Sequence, residues 1–153
     1  MQSVIKTFVE LSTRELHDIY QLRAAVFVVE QTCYYQDVDG LDLHADTRHL
    51  MVWDKGVLAG YTRILAPGTS YPEYASIGRI ANAESHRGLG LGHTIVADSI
   101  VAALKYWPVS SIKISAQAHL QNFYGKHQFV TVSDEYLEDD IPHVAMLRKT
   151  QQK

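Results

Sequence analysis

Arg87-Gly88-Leu89-Gly90-Leu91-Gly92 is the stretch on which the reading of this sequence turns. It lies between Ala75 to Ala81, a run with strand character, and Leu91 to Lys105, a broad apolar run closed by Trp107-Pro108 that predicts a helix. A glycine turn in that setting has a physical use. The first amides of a helix lack intrahelical partners and carry the positive end of the macrodipole, so a phosphate docked there gains charge-assisted hydrogen bonds. Glycines at alternate positions remove side chains that would hold a pyrophosphate away, and Arg87 adds a planar fork of donors. Spacing then separates the phosphate loops. A Walker loop needs a Gly-Lys pair, which is absent, and the dinucleotide fingerprint Gly-x-Gly-x-x-Gly fails because His93 stands at its third glycine position. What fits is Arg-x-x-Gly-x-Gly, set by Arg87, Gly90 and Gly92; a glycine turn that binds nothing is the alternative.

Outward from this turn, helix and strand signals alternate. Ser12-x-x-Glu15 matches a capping box and predicts a helix from there to about Val29, with Leu16, Ile19, Tyr20, Val26 and Phe27 on one face, interrupted by Arg23. Tyr34 to Asp46 reads as a loop rich in aspartate. His49 to Trp53 and Val57 to Leu65 form a predicted hairpin around Asp54-Lys55-Gly56. After the second long helix come a strand over Ile112 to Ala116, a short helix over His119 to Lys126, and strands over Phe129 to Val132 and Val144 to Leu147. With no repeat, low-complexity run or composition shift, residues 1–153 read as a single domain.

Composition narrows the function classes. The chain has 153 residues, one domain's worth, with 46% hydrophobic and 20% charged residues, far from the signature of disorder. Fourteen Lys plus Arg against 17 Asp plus Glu give a formal net charge of −3, so the basic footprint of a nucleic-acid binder is missing. The lone Cys33 rules out an intramolecular disulfide and a multi-Cys zinc site and suits a reducing compartment. No secretory signal is visible from Met1 to Glu15, and no apolar run approaches the ~18 residues of a membrane span. The expectation is a cytoplasmic protein with no membrane partner.

The pattern resembles the GNAT superfamily of N-acetyltransferases. More narrowly, Arg23-Ala-Ala-Val-Phe-Val-Val-Glu30-Gln31-x-Cys33, Tyr35-Gln36-Asp37-Val-Asp39-Gly40 and Ala116-Gln117-Ala118-His119-Leu-Gln121-Asn122-Phe-Tyr124 resemble its ElaA-like branch of small bacterial acetyltransferases. The resemblance covers nearly the whole chain. It implies an α/β (α+β) fold with a central mixed, mostly antiparallel, splayed sheet flanked by helices. It also implies an N-acetyltransferase that binds acetyl-CoA as cosubstrate, without a metal, and passes the acetyl group directly to a primary amine in a ternary complex. Arg87, Gly88, Leu89, Gly90, Leu91 and Gly92 would then hold the pyrophosphate. The strand Arg79-Ile80-Ala81 would splay from Ile112 to Ala116, and main-chain groups near Ile80 and Ala81 would bond the pantetheine arm. Asn122 would touch that arm, and Tyr124 would face the departing sulfur. Superfamily members are often homodimers, although no feature of this sequence requires it.

The chemistry assigns tasks to particular residues. Tyr124 suits proton donation to the thiolate, with a core tyrosine as the alternative, and an amide near Ile80 or Ala81 suits polarisation of the thioester. Glu30 is the candidate base, weighed against an ion pair with Arg23 or Arg79; His119 and His143 are the other titratable candidates, along with water. Asp37, Asp39, Asp42 and Asp46, with Glu138-Asp139-Asp140, suggest an acidic mouth that draws a cationic amine, weighed against solvated turns. A metal site from His44, His49, Asp42 and Asp46 is the loosest reading, and Cys33 reads as packing. The acceptor is expected to be a small amine, with a protein or peptide amine as one alternative and a cofactor-sensing module without turnover as another.

Overall fold

A computed structural model of the chain describes residues 1–150. The strands are β1 (Gln2–Lys6), β2 (Arg48–Asp54), β3 (Val57–Leu65), β4 (Ser76–Asn82), β5 (Ile112–Gln117), β6 (Val130–Thr131), β7 (Tyr136–Glu138) and β8 (Ile141–Arg148). The α-helices are α1 (Thr13–Arg23), α2 (Leu91–Tyr106) and α3 (Gln121–Gly125). One antiparallel sheet has the order β1-β2-β3-β4, and the other has β5-β8-β6 with β7 also on β8. A parallel bridge, Ala75 to Ile112, joins them. There the Lys113 amide donates to Ala75 O at 2.9 Å and the Ala75 amide to Ser111 O at 3.2 Å. Beyond this point β4 and β5 part, so the splayed sheet expected from the sequence takes the form of two sheets hinged at one end.

Alternation along the strands explains the layers. Leu50 and Val52 of β2, with Ala59 and Ile64 of β3, meet Leu91, Ile95, Val96 and Ile100 of α2. Met51, Leu58 and Tyr61 face the other way, onto Ile19, Leu22, Val26 and Phe27. The first sheet is therefore covered on both faces, and its central strands are almost wholly buried. Gly60 lets α2 lie close: a Cβ there would run into Ile95 Cδ1.

Several elements depart from the sequence reading: β7 has no predicted counterpart, β8 starts at Ile141 rather than Val144, and β1 and the first helix differ as follows. β1 carries no clear sequence signal, because five residues of mixed polarity at a sheet edge show little periodicity. The first helix does start at Ser12, whose Oγ accepts from the Glu15 amide at 3.0 Å while Glu15 Oε1 accepts from the Ser12 amide at 2.8 Å. Its α-geometry ends at Arg23, however, and Ala24–Glu30 is wound as a π-helix. The wider turn keeps the buried Arg23 on its partners while Val26 and Phe27 still reach the core.

Candidate active site

The parting of β4 from β5 opens a cleft of ≈ 590 Å³. One wall is β4, the other β5, β8 and the β7–β8 turn; α3 closes one side and the π-helical turn with Cys33 and Tyr35 the other. Strand β4 is bulged. Its register on β3 steps from Tyr61 opposite Ala81 to Arg63 opposite Gly78, and Arg79 takes φ +54. Arg79 and Ile80 thus fall outside the regular pairing with β3, and both line the cleft. Ala81 is paired with Tyr61 and its methyl is in the core, so of the two residues expected on the pantetheine path only Ile80 reaches the cleft.

The glycine turn sits where β4 hands over to α2. Gly88 and Gly90 have φ +80 and +75, which only glycine adopts without strain, and a Cβ on either would meet nothing within 4 Å. Gly90 caps α2 without any side-chain cap, and the first main-chain bond of the helix runs from the Thr94 amide to Gly90 O. The amides of Leu91, Gly92 and His93 consequently have no intrahelical partner. Gly92 is there for space: a Cβ would lie 3.3 Å from Asn82 Nδ2 and 3.4 Å from Phe123 Cζ. Asn82 Oδ1 is buried beside this turn with no hydrogen-bond partner among the described residues. Leu89 is exposed and Leu91 is buried under the turn, so these two can serve an anion only through their main chain. Open glycines, uncapped amides and an orphaned acceptor are a donor and acceptor set that fits a phosphate-bearing cofactor with an amide-containing arm.

Arg87 is held at this rim by a bidentate pair with Glu30, Nη1 to Oε2 at 2.8 Å and Nη2 to Oε1 at 2.9 Å, and also donates to Asn82 O at 3.1 Å. Glu30 therefore has an ion-pair partner, as one reading of the sequence had it, but that partner is Arg87 rather than Arg23 or Arg79. The Arg87 hydrogen bond holds the Glu30 carboxyl below the usual carboxylate range. Tyr124, from α3, lies in the cleft wall, edge-on to Phe123 and Phe129. Burial pushes its hydroxyl up to about 12, and no partner for that hydroxyl occurs among the described residues. Asn122 is exposed on α3 and lies outside the cleft lining.

The acidic loop is the largest correction to the sequence reading. Asp37, Asp39 and Asp42 form neither an open mouth nor solvated turns; they alternate with three arginines in a closed ring. Arg23 meets Asp37 at 3.0 Å and Asp42 at 2.8 Å, Arg63 meets Asp42 at 3.0 Å and Asp39 at 2.6 Å, and Arg79 meets Asp37 at 2.9 Å and Asp39 at 3.3 Å. Burial alone would raise the Asp42 carboxyl, but hydrogen bonding and charge from Arg23 and Arg63 outweigh it and hold it below its usual value. Tyr35 covers the ring from the cleft side, 4.9 Å from Arg79. His49 is buried and occupied, its Nδ1 2.7 Å from the Tyr61 hydroxyl and its Nε2 3.1 Å from Asp42 O, so it does not join His44 and Asp46 around a metal. Cys33 is buried in the cleft wall, and burial pushes its thiol up, as packing implies.

Two polar groupings were not read from the sequence. His93 Nδ1 lies 2.9 Å from His127 Nε2, beside Phe123 and the glycine turn. On the far wall, Ser115 Oγ touches both the Tyr136 hydroxyl at 2.5 Å and Glu138 Oε1 at 3.1 Å, with His143 next to Glu138. His119 lines the same wall, exposed and without a side-chain partner among the described residues. The only sequence signal for the Ser115 group was the placing of Lys113, Ser115 and Gln117 on one face of β5.

Residues 15–150 match the acetyltransferase (GNAT) domain family. The chain belongs to that family. Within it, the chain is 43% identical over 140 residues to the protein ElaA of Escherichia coli strain K12, covering 92% of this chain and 91% of ElaA. The crystal structure of Escherichia coli ElaA superposes with a TM-score of 0.91 at 40% identity, over 97% of this chain and 99% of that one. An acyl-CoA N-acyltransferase from Pseudomonas aeruginosa superposes with a TM-score of 0.92 at 46% identity, over 96% and 98%. This GNAT protein is thus an acyltransferase of the ElaA-like branch. No helix of its described residues is long and apolar enough to cross a membrane.

Proposed function

We propose that residues 1–153 form one catalytic domain that works in the cytoplasm as an acetyl-CoA-dependent N-acetyltransferase, passing the acetyl group directly to a small primary amine in a ternary complex. The observation that carries this reading is the uncapped glycine turn of α2 opening onto the same cleft as the unpartnered Tyr124 hydroxyl. The turn amides and Arg87 would hold the pyrophosphate, and the bulged edge of β4 at Ile80 would bond the pantetheine arm. The cofactor supplies an activated acyl thioester; this chain's own residues orient it, exclude water and handle protons.

Tyr124 donates a hydrogen bond to the departing sulfur. Its hydroxyl, at about 12, is a weaker acid than an ordinary thiol near 8.5, so complete transfer would run uphill by ~5 kcal/mol. It therefore steadies the thiolate more than it neutralises it. Glu30 orients Arg87 while that pair is intact and becomes available as a base in the cleft when Arg87 turns to an anion.

Thermal shift with acetyl-CoA, coenzyme A and NAD, followed by thiol release over an amine panel, tests the reading. A specific ligand at about 100 times its Kd stabilises by ~2.7 kcal/mol, which a melting curve resolves. Stabilisation by NAD alone would overturn the proposal, and binding without thiol release across the panel would make the protein a sensor. Release only with peptide amines would move the acceptor class.

A further inference from the structure

We propose that Arg79, through its grip on Asp37 and Asp39, holds the β4 bulge in the shape that receives the acyl-CoA arm, which makes it a positioning residue for that arm. The inference rests on the acyltransferase reading for the identity of the arm, but the grip itself is a property of the strand.

Alternation along β4 identifies the inserted residue. Thr62 of β3 stands opposite both Arg79 and Ile80, where a regular ladder sets one residue against one. Ile77 and Ile80 pack on the α2 core, whereas Ala81 packs on the opposite core beside Tyr61. A regular strand would put residues 77 and 81 on one face, so the strand carries one residue too many between Gly78 and Ile80. That residue is Arg79, and its backbone takes φ +54. A residue other than glycine is strained there and persists only where its surroundings fix it. Its neighbours are fixed by β3: Thr62 Oγ1 donates to Gly78 O at 3.1 Å, and Ala81 pairs with Tyr61.

Arg79 itself is fixed from outside the sheet. Its Nε lies 2.9 Å from Asp37 Oδ1, its Nη2 donates to Asp37 O at 3.4 Å and to Asp39 Oδ2 at 3.3 Å, and its guanidinium sits 4.9 Å from the centre of the Tyr35 ring. These partners are anchored in turn. Arg23 Nε donates to Asp37 Oδ2 at 3.0 Å, and the Tyr35 hydroxyl donates to Asp37 Oδ1 at 3.1 Å. Asp39 is a clasp across the bulge: its carboxylate takes Arg63 of β3 at 2.6 Å and Arg79 of β4 at 3.3 Å. One carboxylate therefore ties both strands at the point where their register breaks.

Neither aspartate lines the cleft, whereas Arg79 and Ile80 do. The loop thus acts on the cleft through Arg79. Without the grip the inserted residue relaxes its strained φ, and the peptide between Arg79 and Ile80 turns from the position in which it meets the arm. The glycine turn, held by α2 and Gly90, does not depend on this contact.

Calorimetry with two probes separates the grip from general loosening: coenzyme A, which spans the glycine turn and β4, and ADP, which carries the pyrophosphate without the arm. Arg79→Met keeps the length and apolar stem of the side chain, and Asp39→Asn weakens the clasp without altering a residue of the cleft lining. The expected result is a loss of about tenfold in coenzyme A affinity in Arg79→Met, the size of one or two main-chain hydrogen bonds. Asp39→Asn should lose about threefold or more, and ADP affinity should stay within about twofold of wild type in both. In the ligand-free protein, amide exchange over residues 77–82 should quicken in both variants relative to β2. Unchanged coenzyme A affinity in Arg79→Met overturns the grip, as does an equal loss of ADP affinity, which would mark general loosening. A loss confined to Arg79→Met, with Asp39→Asn like wild type, also overturns it, since Arg79 would then touch the ligand itself. Failure of the wild type to bind either probe overturns the acyltransferase reading instead, and the exchange data then judge the grip: unchanged exchange over residues 77–82 refutes it.

Discussion

Replacing Arg23 by methionine tests whether the arginine–aspartate ring holds the roof of the cleft. Arg23 is 0% exposed and makes three contacts: Nε to Asp37 Oδ2 at 3.0 Å, Nη1 to Asp42 Oδ1 at 2.8 Å, and Nη2 to Asp37 O at 2.5 Å. The ring is neutral, three cations against three anions, so Arg23→Met leaves one buried negative charge in excess. Asp42 suffers most, because it is fully buried and its Oδ2 already lacks a partner among the described residues. Removing one member of a buried pair costs about 3–5 kcal/mol, a large part of the roughly 5–15 kcal/mol that holds a domain folded. The assay is urea unfolding at pH 7 and again at lower pH. Asp42 has its carboxyl depressed in the folded protein, so the stability it contributes is present above the unfolded value near 3.9 and is lost as pH falls through the folded one. Once Arg23 is gone, less of that stability remains to lose, and the gap between variant and wild type should narrow as pH falls below about 4. Adding Asp42→Asn restores a balance of two cations and two anions, so the double variant should recover about 1–3 kcal/mol relative to the sum of the single changes. A loss below about 1 kcal/mol in Arg23→Met, or strict additivity in the double variant, would refute the ring as a coupled structural unit.

Three further outcomes bear on the cleft. Tyr124→Phe should lower kcat at least tenfold with little change in KM for acetyl-CoA, since the hydroxyl has no partner to lose among the described residues; full turnover with a good amine would remove it from the chemistry. Arg87→Ala should weaken coenzyme A by about 10- to 100-fold in calorimetry and flatten the salt dependence of binding, and unchanged affinity would move the pyrophosphate elsewhere. Gly90→Ala imposes φ +75 on a residue with a Cβ, at about 1–2 kcal/mol, so it should lower both urea stability and coenzyme A affinity; a fully neutral substitution would show that the turn adapts without cost.

What could be read in the sequence was what neighbours in the chain decide. The hairpin of β2 and β3 follows from alternation around Asp54-Lys55-Gly56, α1 from its capping box, and α2 from its apolar run between a glycine turn and Trp107-Pro108. What could not be read was what the fold brings together from afar. Arg23 looked like an interruption of an apolar face, and the aspartates looked like a turn, because their pairing spans 14 to 42 residues and forms only when β3 and β4 are in place. Ser115, Glu138 and His143 meet for the same reason: β8 pairs with β5, setting His143 opposite Gln117, and the β7–β8 turn folds Glu138 back toward Ser115. Asn122 is a different case, exposed and outside the cleft lining. Its place in a motif-like run said nothing about which side of a five-residue helix it would occupy, and it faces solvent.

The net charge of −3 now has a spatial meaning. The buried ring is balanced and contributes little field at the cleft, so the potential there is set by the Arg87–Glu30 pair and by Glu138 and Asp139 on the far wall. The Arg87–Glu30 pair is 41% and 34% exposed, in the range where screened ion pairs are worth at most about 1 kcal/mol. An anion on the α2 turn offers Arg87 more than that, because it also takes the unpartnered amides of Leu91, Gly92 and His93. Competition for Arg87 thus favours the anion, and each anion bound there leaves Glu30 uncompensated in the cleft. The cleft then holds carboxylates on both walls with no free arginine between them among the described residues, a field that would favour a cationic amine as acceptor on the proposed reading.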